Sequence, residues 1–189
     1  MSISMMDLWL PIVVGAVLAW VTSALIHMVV KYHNSDYQPL ANEDEVMDAV
    51  RNGSPSPGMH TFPYCADFKD MANEDVQAKF NKGPVGMLTI IPNGMPPMGK
   101  LLAQQIAFFL LGSILIAYCA QLALDPNVAY MTVFQFVAAV GFLAYGWATI
   151  PFAIWFGQKW STTAKYLLDA LIYGFVTAGA FAWLWPSAG

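Results

Sequence analysis

Ionisable side chains set within long apolar runs are where this chain could do chemistry, because lipid exacts a cost for each of them. Two qualify, His27 and Asp169. An Asp at the centre of a membrane helix costs about 2.5–3.5 kcal/mol on insertion scales, so it calls for a partner or a water-filled site. His27 stands about one turn before the end of the first apolar run, and Asp169 about one turn after the start of the last. If those runs are oppositely directed helices, the two side chains lie at equal depth, and the spacing predicts a hydrogen-bonded His27–Asp169 pair. The alternative is an Asp169 hydrated near the interface and a His27 bonded to a backbone carbonyl.

Other chemistries are harder to assemble. Ser23 and His27 share a helix face, but no second base partner and no oxyanion donor can be assigned to make a serine nucleophile. His33, Asp36, His60, Cys65 and Asp67 are metal-ligand types whose spacing fits no zinc pattern, so no metal is expected. A haem held by two histidines needs two of them inside spans, and His27 has no such companion; no cofactor is expected. H-E-x-x-H, a phosphate-cradling Gly-rich loop and G-x-S-x-G are all missing from the sequence. The expectation is therefore a protein that is not an enzyme.

The elements that must position these residues are membrane spans. Apolar segments occupy 8–30, 101–124, 129–156 and 166–185, and at a rise of about 1.5 Å per residue each matches or nearly matches a hydrocarbon core of roughly 30 Å. With 58% hydrophobic and 11% charged residues, the composition departs from the soluble average in the same direction. Lys31, Arg51, Lys69, Lys79, Lys82 and Lys100 follow the first run, and Lys159 and Lys165 precede the fourth. Because loops retained in the cytoplasm carry the cations, this distribution predicts both termini on the periplasmic side and the segment 31–100 inside. The domain reading is a first span within 1–30, a cytoplasmic insert over 31–100 and a three-helix region over 101–189. A net charge of −4, with acids crowded into the insert, offers nucleic acid no basic face.

The insert reads as a small α/β unit. Asn42 and Asn73 begin two helices, ending near Gly53 and at 81–83, and 59–64 and 85–91 are strand-like runs bounded by Pro and Gly. In the spans, Gly15, Ala19, Ser23 and His27 recur every four residues, as do Ala170, Gly174, Ala178 and Ala182. Small residues at that spacing let helix backbones approach closely, within the chain or against another protein. Gln104, Gln105, Gln121 and Gln135 are expected as interhelical hydrogen-bond partners. Pro151 should bend the third helix. Cys65 and Cys119 fall on opposite sides of the predicted topology and read as free thiols.

Tyr32-His33-Asn34-Ser35-Asp36, Asn42-Glu43-Asp44-Glu45-Val46-Met47-Asp48-Ala49, Phe62-Pro63-Tyr64-Cys65, Gly83-Pro84-Val85-Gly86 and the run 93–99 resemble a family of uncharacterised small bacterial four-span integral membrane proteins. The similarity extends into the spans, including Ala144-Tyr145-Gly146 and 183–186. What the resemblance implies is a multi-pass protein of the bacterial inner membrane with this four-span plan; it carries no catalytic residue. The fold class expected is an all-α membrane protein of four transmembrane helices with a cytoplasmic α/β insert between the first and second. The leading functional expectation is a non-catalytic accessory or structural subunit of a larger bacterial membrane protein complex, an energy-transducing complex being one candidate, in contact with other integral membrane subunits. The alternatives are a small oligomeric transporter or channel using Asp169 and His27, and a membrane enzyme working at the insert.

Overall fold

The computed structural model describes residues 3–186. Four helical segments are long and apolar enough to cross a membrane: Trp9–Val30, Met98–Ala123, Tyr130–Trp155 and Trp160–Trp183. Helices are what such runs must form, since lipid leaves every backbone N–H and C=O to be satisfied within its own segment. The first span is α1, Trp9–Leu25, continued by a π turn over Ile26–Val30. Between the first and second spans lie α2 (Glu43–Gly53), β1 (Gly58–Phe62), α3 (Glu74–Lys82) and β2 (Gly86–Ile90). The second span is α4, Met98–Ala123. The third is α5 (Tyr130–Gly146), a 3-10 turn (Trp147–Thr149) and α6 (Ile150–Trp155). The fourth is α7, Trp160–Trp183.

The chain divides into two compact units, one of residues 1–37 and 97–189 and the other Gln38–Pro96. In the first, α1 packs on α4, α4 on α5, α5 on α7 and α7 on α1, a closed ring of four helices. The four-residue stripes lie on these contacts. A Cβ on Gly174 would stand 3.0 Å from the Ala138 carbonyl oxygen and 3.1 Å from the Phe142 nitrogen, so α5 and α7 touch backbone to backbone there. Gly15 faces Thr177, Phe181 and Ser113, and Ser113 Oγ donates to the Ile12 carbonyl at 2.9 Å. Ala19, Ser23, Ala170, Ala178 and Ala182 are buried on the same faces. Fully buried Leu8, Ile116, Val133, Val137 and Phe181 fill one end of the bundle.

Two boundaries differ from the sequence reading. The fourth span starts at Trp160 rather than 166, because Thr162, Thr163 and Lys165 are helical and turn their polar groups toward protein instead of water. Asp169 consequently lies beyond the second turn of its helix rather than about one turn from its start. The third span is interrupted one turn before Pro151, whose missing N–H is tolerated because it falls in the first turn of α6.

In the second unit β1 and β2 pair antiparallel, with Gly58 opposite Ile90 and Phe62 opposite Gly86. Asn73 caps α3 by accepting from the Asp75 N–H at 2.9 Å; Asn42 instead donates to Glu45 Oε2, and its side chain makes no cap bond. No side chain in 38–96 is fully buried. The insert therefore begins at Gln38 rather than 31, since 32–36 belongs with the membrane unit.

Candidate functional site

The end of the first span makes the site. After Leu25 the helix widens into the π turn that carries His27, and the Lys31 N–H closes it on the Ile26 carbonyl at 2.8 Å. Lys31 then takes the left-handed conformation, φ 57° and ψ 24°, which a residue with a Cβ holds only when its surroundings over-determine it. Those surroundings are on α7. Beyond Lys31 the chain reverses into a 3-10 turn, Tyr32–Asp36, which the start of α7 grips. Lys165 Nζ spends its three donors on Asp36 Oδ1 (2.7 Å), Ser35 Oγ (2.7 Å) and the Tyr32 carbonyl (3.0 Å), and Thr162 Oγ1 adds a bond to Asp36 Oδ1 at 3.0 Å.

The reversal delivers His33 to Asp169. His33 Nδ1 lies 2.9 Å from Asp36 Oδ2 and Nε2 lies 2.9 Å from Asp169 Oδ2. His33 is 5% exposed and Asp169 2%, so a polar chain Lys165–Asp36–His33–Asp169 runs from partly exposed to buried. With a proton on each His33 ring nitrogen, one ammonium, two carboxylates and one imidazolium would sum to zero charge, which would limit the cost of burying them together. The Lys165 ammonium beside Asp36 holds its carboxyl below the usual carboxylate range, against the opposing push of burial.

The predicted His27–Asp169 hydrogen bond is therefore replaced. His27 Nδ1 donates to the Ser23 carbonyl at 3.0 Å, and its ring stacks on His33 at 4.9 Å between centroids and 4° between planes. Asp169 finds its partner in the turn 32–36, which the sequence assigns to the insert, and is 2% exposed; the other half of the alternative, a His27 bonded to a backbone carbonyl, is what the structure shows. Its second oxygen, Oδ1, is buried with no hydrogen-bond partner.

Beside this chain residues of the four spans line an open cleft of about 530 Å³, within the size range of small-molecule sites. Ser23 of α1, His27 of the π turn, Gln105 of α4, Tyr145 of α5, Thr149, Gln158, and Tyr166, Asp169 and Tyr173 of α7 supply its polar lining. Its floor is aromatic: fully buried Phe109 meets Tyr145 and Tyr173 edge-on, at 5.5 and 5.3 Å. No family model, curated protein or solved structure matches the chain. The site has to be read from its own chemistry.

The other candidates disperse. His60 bonds the Ser56 carbonyl and Cys65 donates to the Asp67 carbonyl, both within the insert unit, while His33 and Asp36 join the membrane unit. Among the described residues Gln104, Gln105, Gln121 and Gln135 make no interhelical hydrogen bond. Cys65 and Cys119 are both free. The residues that sequence reasoning missed are His33 as the Asp169 partner and Lys165 as the clamp. A signal for them did exist: His33 and Asp36 are three apart, and Lys165 and Asp169 four apart on a helix, which puts each pair on one face.

Proposed function

We propose that this chain is a small membrane transporter that takes up a cation in the cavity between its four spans. The observation that carries the reading is the unpartnered Oδ1 of Asp169, buried in the wall of a cavity lined by that carboxylate, His27 and three tyrosines, with no Lys or Arg. A carboxylate oxygen that makes no hydrogen bond, in a cleft lined by aromatic residues, attracts positive charge. The buried apolar residues Ile116, Val133, Val137 and Phe181 fill the bundle beyond the aromatic floor, so loading is one-sided in this conformation. All eight cations lie between the first and second spans or between the third and fourth, which supports a cytoplasmic loading side and periplasmic termini, and the family resemblance supports the bacterial inner membrane.

Uptake of inorganic and quaternary ammonium cations into proteoliposomes tests this. The purified protein should move at least one of them, and Asp169→Asn, which keeps an acceptor for His33, should abolish that movement with its melting temperature retained. No cation flux across the panel would overturn the reading.

A second reading, the accessory subunit, is favoured by the insert unit. It buries none of its side chains and leaves Phe62, Tyr64, Phe68 and Val85 exposed around a two-stranded sheet, which on its own is marginal in water. A surface of other membrane subunits would cover it. Purification from native membranes decides between them: stoichiometric partners that co-elute, with no flux from the isolated chain, favour the subunit.

A further inference from the structure

We propose that His27, His33 and Asp169 form a three-ligand site for a first-row divalent metal ion, with further coordination positions facing the cavity. This inference rests on the cavity being a cation site and names the cation. The three side chains offer ligand atoms that all lie within 4.8 Å of one another, from the π turn, the 3-10 turn and α7.

The other ring nitrogens distinguish this set from a chance grouping. His27 Nδ1 is engaged by the Ser23 carbonyl and His33 Nδ1 by Asp36 Oδ2. Each ring therefore has Nδ1 on an acceptor and turns Nε2 to the group, unbonded at His27 and paired with Asp169 Oδ2 at His33, the arrangement by which metal-binding histidines are fixed in tautomer and orientation. Asp36, held by Lys165, is the carboxylate of a carboxylate–histidine–metal triad. Asp169 supplies the second, independent sign: it is 2% exposed and its Oδ1 makes no hydrogen bond of normal geometry, with the Tyr173 hydroxyl the neighbouring donor.

The geometry asks for modest movement. His33 Nε2 and Asp169 Oδ2 stand 2.9 Å apart, and two ligands of a tetrahedral zinc ion stand about 3.3 Å apart given bonds of about 2.0–2.2 Å. The His27 ring has to tilt out of its parallel stack on His33, because in-plane lone pairs of parallel, separated rings do not meet at one ion. His27 borders the cavity and has room to do so. On loading, the His33 Nε2–H bond breaks, a nitrogen–metal bond forms, Asp169 exchanges its hydrogen bond for coordination, and the proton leaves to water in the cavity. Two imidazoles and one carboxylate, with both thiols elsewhere, select zinc-like ions over magnesium or calcium.

Full-length protein carrying a tag without histidine, stripped with chelator in detergent, is titrated with Co²⁺ alone. One equivalent should produce the visible d–d bands of four- or five-coordinate cobalt, and Zn²⁺ should displace it. Asp36→Asn should weaken binding by about 10–100-fold, and His27→Ala and Asp169→Asn by at least as much, whereas His60→Ala should leave it unchanged. His27 bonds only its own helix, so His27→Ala keeps the fold, and its melting curve checks this. Absence of the bands, or bands undiminished in both His27→Ala and Asp169→Asn, overturns the metal site. Cation flux without cobalt binding overturns it too while leaving the transporter standing; cobalt binding without flux supports the site and removes the transporter.

Discussion

Removing the His33 imidazole would strand a carboxylate that is 2% exposed, and that is where the energetic weight of the polar chain shows. Breaking a buried ion pair by deleting one partner costs about 3–5 kcal/mol, much of it the desolvation of the charge left behind. His33→Ala should therefore destabilise the membrane unit by that order in a reversible unfolding assay. Adding Asp169→Asn to His33→Ala should recover part of the loss, since the stranded charge is gone. Losses that simply add would show that the two side chains do not interact. At this scale the sequence made Asp169 legible, because a carboxylate inside an apolar run stands out against its neighbours. Its partner was hidden, because His33 follows Lys31 and reads as part of a polar loop.

Elements carry the next layer. The π turn at Ile26–Val30 and the left-handed Lys31 reverse the chain tightly enough to lay His33 against His27. Neither has a composition signal: Ile, His, Met and Val serve an α-helix as well, and φ > 0 at a lysine is dictated by anchors on another helix. The small-residue stripes, in contrast, were legible from their four-residue period, and the partner they meet is a helix of the same chain. The backbone-to-backbone approach at Gly174 gives a sharp expectation. Gly174→Val would drive a branched side chain into the backbone of α5 at Ala138 and Phe142, which cannot yield as a flexible side chain would. A loss of about 1–3 kcal/mol is expected from overpacking, read as a lowered melting temperature in detergent. Gly179→Val, where a Cβ meets nothing within 4 Å, should be near neutral.

For the whole molecule, topology is the property with a direct test. The proposed orientation places the insert, with Cys65, in the cytoplasm, and Cys65 is partly exposed. In a Cys119→Ser background, a membrane-impermeant maleimide should label inside-out vesicles and spare right-side-out ones. The reverse pattern would invert the protein and put the cavity's loading side outside.

Hydropathy by itself determined that there are four spans and that a polar segment separates the first from the second, because lipid accepts a chain only as long apolar helices with internally satisfied backbones. The alternation of strand-like and capped helical runs likewise announced the two strands and two helices of the insert from local chemistry alone. Only the tertiary structure decided that the fourth helix begins at Trp160, that 32–36 folds back onto it, and that Asp169 answers to His33 instead of His27. The reason is one of range. Period and hydropathy are sums over neighbours in sequence, whereas Lys165 meets Asp36, and Asp169 meets His33, across the whole insert and two intervening spans.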